Sequence, residues 1–234
     1  MLVGLLLLIA IPVAAGVFRL TQLAGGAEIT PENARFFASP VPVVLHIVSV
    51  ILYSVLGPFQ FVPGLRQRRP GWHRAAGRLL VVSGLVAALT ALWMTLFYPH
   101  PDDTGDLLTG IRLVVGSAMF ASTVLGFSAI RRRDIAGHRA WMIRGYAIGM
   151  GAGTQALTQL PWIVIVGPLD KLSKALLMAA AWAINIAVAE WIIRRRPAGP
   201  LRTSAGPAVA TAGSPSRPAH RIGVDHHRVK IEET

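Results

Sequence analysis

Runs of apolar residues about 20 long, divided by short basic or acidic loops, organise this chain. A helix rises 1.5 Å per residue, so about 20 apolar residues cross the hydrocarbon of a bilayer. Six stretches meet that length: 2–20, 41–63, 75–98, 107–130, 140–166 and 171–193. The pattern predicts an all-α integral membrane bundle of about six transmembrane helices. The first stretch lacks a basic leader and a clean small-x-small site, so it is expected as a retained helix rather than a cleaved signal. After Arg196 the chain turns to Pro, Ala, Gly, Ser and Thr without apolar periodicity. Residues 1–196 are thus read as the membrane domain and 197–234 as a disordered cytoplasmic tail, which has too little apolar surface to offset its ordering entropy.

Charge orients the spans. The loop and helix start between stretches two and three hold Arg66, Arg68, Arg69, Arg74 and Arg78; those between four and five hold Arg131, Arg132, Arg133, Arg139 and Arg144. Glu28, Glu32, Asp102, Asp103, Asp106 and Asp170 fall in the opposite set of loops. Basic loops stay in the cytoplasm, so both termini are expected there.

Composition agrees. Of 234 residues, 53% are hydrophobic and only 15% charged, against roughly 25% charged in soluble domains. Mean hydropathy is +0.53. The net charge of +12 belongs mainly to residues flanking the apolar runs, which argues for a lipid bilayer rather than nucleic acid as partner. With no cysteine, disulfides, thiolate metal sites and cysteine nucleophiles are excluded. No phosphate-binding Gly-rich loop, serine elbow or His-x-x-Glu metal spacing is present.

The polar residues at membrane depth sort into an inner and an outer layer with an almost wholly apolar middle. His73 and His138 open stretches three and five at the cytoplasmic interface, with Gln60 and Glu190 at a similar level. His46, Gln155 and Gln159 belong to the outer half. Arg74 and Arg78 are four residues apart and share a helix face, suited to an anionic group. Gly77, beside His73, would let a flat ligand approach, and Trp141 and Met142 would suit one too.

The motifs His73-Arg-Ala-Ala-Gly-Arg78, His138-Arg-Ala-Trp-Met-Ile-Arg144 and Gly57-Pro-Phe-Gln-Phe61, together with His46, carry a resemblance. Over about residues 41–165 the chain resembles a bacterial family of predicted multi-pass membrane proteins of unknown function. That resemblance implies a bacterial inner-membrane location. The chain is also similar, more weakly, to the haem-binding four-helix cores of the cytochrome b561 and ferric-reductase type. That similarity implies one b-type haem with His73 and His138 as its metal ligands, and a half-site at His46 lacking a histidine on the fourth stretch. The neighbouring arginines would neutralise the propionates. The candidate cofactor-binding set is His73, His138, Arg74, Arg78, Arg139, Arg144, Gln60 and His46, with a quinone or redox protein as partner. The competing expectation is a non-enzymatic transporter or lipid-handling protein whose inner layer grips an anionic headgroup or substrate.

Overall fold

The computed structural model describes residues 2–101 and 104–195; the expected tail, 197–234, lies outside them. The described residues form nine helices: α1 (Leu2–Gly25), α2 (Ala34–Ala38), α3 (Pro40–Gln60), α4 (Pro63–Arg68), α5 (Pro70–Phe97), α6 (Asp106–Arg131), α7 (Ile135–Gly149), α8 (Gly151–Ile165) and α9 (Lys171–Arg194). Five of them, α1, α3, α5, α6 and α9, are long and apolar enough to cross a membrane. Proline opens α3, α4 and α5, where its missing N–H belongs to a group that has no intrahelical partner in any case.

The expected continuous helix over 140–166 is corrected. Met150 divides it into two helices of 15 residues each, about 22 Å apiece and each too short for a bilayer of about 30 Å. Together they nonetheless run the length of a crossing. Arg144 pairs with Glu190, Ala147 with Asn185, Gly151 with Trp182, and Thr158 with Leu177. Those contacts step up one helix pair and down the other, so α7 and α8 jointly lie antiparallel to α9.

The break is stitched from α9. In a regular helix the Ala147 carbonyl would take the Gly151 amide; here Asn185 Nδ2 donates to it at 3.1 Å. Thr154 Oγ1 donates to the other end of the same amide, Asn185 Oδ1, at 2.8 Å. Backbone irregularity at membrane depth is tolerated where such partners replace the lost bonds. Small residues let the neighbours close in: a Cβ on Gly151 would strike the Trp182 indole, and one on Gly153 would strike the Leu8 carbonyl of α1.

The other helices alternate up and down in register. Along α3 and α5, Ser39 meets Tyr98, His46 meets Ala87, Tyr53 meets Gly84 and Gln60 meets Gly77. Along α6 and α7, Gly126 meets His138, Ser122 meets Gly145 and Met119 meets Gly149. In lipid there is little hydrophobic force between helices, so such close approach over small residues supplies the packing energy.

The middle of the bundle also departs from the expected apolar layer. Tyr53, Tyr146, Ser54, Ser83, Ser122 and Thr123 are all buried there. The two tyrosine rings lie 5.7 Å apart. Tyr146 donates to the Ser54 carbonyl at 3.1 Å, and Thr123 to that of Met119 at 2.9 Å.

Candidate functional site

The α6–α7 turn places His138. Arg133 adopts a left-handed backbone (φ 63°), which turns the chain within three residues, and Asp134 then caps α7 by accepting the Gly137 amide at 2.8 Å. A side chain on Gly137 would strike the Asp134 carboxylate, so glycine lets this cap close. One residue on, His138 Nδ1 lies 2.8 Å from the Gly126 carbonyl of α6. A carbonyl only accepts, so Nδ1 carries the proton and Nε2 of the neutral ring keeps its lone pair.

His73 sits on the first turn of α5, partly buried. It lies within electrostatic reach of Arg66, His138 and Arg74, although α5 packs chiefly against α3 and α6, and α7 against α6 and α9, rather than against each other. His73 Nδ1 is buried and has no hydrogen-bond partner among the described residues; Gln60 Nε2 is in the same condition. The Gln60 carbonyl oxygen stands 3.7 Å from where a Cβ on Gly77 would be. The end of α3 therefore faces the His73–Gly77 stripe of α5. A buried, unpaired polar atom costs about 1–3 kcal/mol, so these two are the least settled groups at this face.

The arginines divide. Arg74 and Arg78 are exposed and have no hydrogen-bond or ion-pair partner among the described residues. Arg144 is committed: its Nε lies 2.6 Å from Glu190 Oε1 and its Nη2 3.1 Å from Oε2, with its guanidinium 4.8 Å above the Trp141 ring. Arg139 is partly buried. The Met142 side chain and the Trp141 Cβ pack against Gly126 of α6.

His46 stands apart from this cluster. Its Nδ1 lies 3.0 Å from the Ala87 carbonyl and 3.1 Å from Thr90 Oγ1, tying α3 to α5. His100, the nearest histidine in sequence to an outer pair, is exposed in the α5–α6 loop. Among the described residues no group of three or more His, Cys, Asp or Glu side chains could hold a metal ion. Sequence reasoning missed Tyr53, Tyr146, Thr154 and Asn185. The alternating Gly149, Gly151 and Gly153 around Met150 are the one signal that marks the break.

Residues 43–193, from α3 through α9, match the family of predicted membrane proteins DUF2306, and the chain belongs to it. It is a helical membrane protein of a family whose function is unknown; α1 precedes the matched region. No curated protein and no solved structure matches the chain.

Proposed function

We propose that this protein is a bacterial inner-membrane binding protein, with both termini cytoplasmic, that takes an anionic headgroup between the ends of α3, α5 and α7. The observation that carries this reading is the pair of buried, unpartnered atoms, Gln60 Nε2 and His73 Nδ1, beside the exposed Arg74 and Arg78. The Gln60 amide nitrogen and the guanidinium groups only donate, and His73 Nδ1 donates in one of its two tautomers, so an acceptor-rich partner would satisfy them together. A lipid phosphate or a carboxylate of a transported solute supplies that chemistry, and the interfacial depth suits both.

The test is bound lipid. Native mass spectrometry of protein extracted from mixed phosphatidylglycerol and phosphatidylethanolamine membranes should retain anionic lipid. Arg78→Gln and Gln60→Leu should each lose it, while the pair-preserving Arg144→Lys should not. Equal retention of both headgroups by all variants would count against the site.

A second reading keeps the two histidines as the residues that would hold a b-type haem. It is favoured by the His138 Nδ1 bond to Gly126, because ligating histidines anchor the far ring nitrogen in this way. In this reading His73 and His138 would hold the iron, and Arg74 and Arg78 would face the propionates. When bound, haem would supply one-electron transfer to a quinone or a redox protein. The check is a Soret band in protein from haem-replete cells, lost in His73→Ala and in His138→Ala. A colourless, folded preparation removes this reading and leaves the first intact.

A further inference from the structure

Away from the basic face, a cavity of about 160 Å³ lies between α1, α3 and the α7–α8 break. Most of its wall is apolar, from Ile9, Val13, Val50 and Met150, and His46 and Ser54 are its polar lining. The hydrogen bonds of His46 fix what the wall presents. Both neighbours of Nδ1 accept: Ala87 does so through its carbonyl, and the Thr90 hydroxyl has already given its proton to Val86 O at 2.6 Å. Nδ1 is therefore the protonated nitrogen, and Nε2 is left as an acceptor with no partner among the described residues.

A cavity of about 150 Å³ lined by apolar side chains accommodates a benzene-sized ring. This one adds the unpartnered His46 Nε2, beside the Ser54 hydroxyl, at membrane depth, where a polar group without a partner is costly. We infer that the cavity is a binding site for one small aromatic ring carrying a hydroxyl, such as the head of a lipophilic phenol or quinol, whose O–H donates to His46 Nε2. The break supplies the third wall, through Gly149, Met150, Ala152 and Gly153.

The test compares p-cresol with toluene, which differ only in the hydroxyl, as stabilisers of the purified full chain against heat in one detergent. The natural protein should respond to p-cresol at concentrations about fivefold below those needed with toluene, the value of one net hydrogen bond. In His46→Asn the side-chain amide replaces Nδ1 toward Ala87 but offers nothing in place of Nε2. That variant should bind both probes alike, at the weaker toluene level, and comparing the ratio between variants cancels partition into the micelle. Val50→Phe, or Val13→Phe if the first does not fold, fills the cavity and should abolish both responses. Equal responses in the natural chain, no response to either, or a preference that survives His46→Asn each overturn the proposal.

Discussion

Arg144 of α7 and Glu190 of α9 form a two-pronged ion pair, Nε to Oε1 at 2.6 Å and Nη2 to Oε2 at 3.1 Å. Only 30% and 27% of their side-chain surfaces are exposed. Arg194 approaches the same carboxylate at 3.9 Å from one turn further along α9. The pair joins the first half of the divided crossing to the last helix, so its effect falls on stability. Glu190→Ala should cost about 1–3 kcal/mol, because it strands a charged donor. Arg144→Leu combined with Glu190→Leu should cost less than Glu190→Ala alone. Unfolding midpoints in a single detergent check this, and a double variant at least as unstable as the single one refutes it.

The Asn185 amide is the second fastening at the break. Asn185→Leu removes both the cap on Ala147 and the acceptor of Thr154. Interhelical hydrogen bonds in membranes average about 0.6 kcal/mol each, so the loss should be about 1 kcal/mol. Thr154→Val should cost roughly half as much. Hydrogen exchange should quicken locally around Met150 in Asn185→Leu, with α3 and α5 unaffected. Uniform quickening throughout the bundle would show that the amide does something other than cap the break.

These two fastenings mark where sequence reasoning stops. Spans of 20 apolar residues and basic loops are set by the bilayer itself, so the helical membrane class and most helix positions were legible along the chain. The division of 140–166 was not, because hydropathy stays high through Gly149-Met150-Gly151 and the residue that mends the break sits on another helix. Partners on the backbone leave no sequence trace either: the carbonyls of Gly126 and Ala87 fix the tautomers of His138 and His46, yet Gly and Ala announce nothing. That Arg144 is paired while Arg78 is not depended on the rotation of α7, which one isolated stripe cannot fix.

Gly77 separates packing from function. A methyl there would meet only Gln60 Oε1, at an ordinary 3.7 Å, and Ala is the better helix former by about 1 kcal/mol. Gly77→Ala should therefore keep or slightly raise the unfolding temperature. On Gly57 the same methyl would strike the Tyr146 ring, and Gly57→Ala should destabilise by about 1–3 kcal/mol. If the headgroup lies along the His73–Gly77 stripe, Gly77→Ala loses anionic lipid without losing stability. Retained lipid in a stable Gly77→Ala protein would move the headgroup off that stripe.

Asp170 gives α9 a pH dependence. Its carboxylate caps the helix, accepting the Ser173 amide at 2.8 Å, and the Ser173 hydrogen bonds hold its pKa below the ordinary 3.8. The charged form is favoured in the folded protein, so the stabilisation is complete above the unfolded value and disappears as pH falls through the folded one. The first turn of α9 should fray in acid below about pH 4 and be indifferent to pH between 5 and 8. Asp170→Asn keeps an acceptor and should flatten this acid response, whereas Asp170→Ala should fray at every pH. Exchange rates of the amides from Lys171 to Lys174 report it, and an unchanged acid response in Asp170→Asn would assign the effect to another group.

Orientation is the last expectation, and the absence of cysteine makes its test clean. If α7 and α8 act as one crossing beside α9, they join the five long apolar helices among the described residues to make six crossings, and the loops fall alternately on two faces. The turn after α6 carries Arg131, Arg132 and Arg133, and the α3–α5 connection carries Arg66, Arg68 and Arg69. The α5–α6 loop carries Thr104 and ends at Gly105, with Asp106 opening the next helix. Lys and Arg in short loops hold them in the cytoplasm. A Thr104→Cys protein in intact cells should thus react with a membrane-impermeant maleimide, and an Arg132→Cys protein only after permeabilisation. If Arg132→Cys labels first, the basic face points outward. The headgroup proposed for Arg74 and Arg78 would then be sought in the outer leaflet.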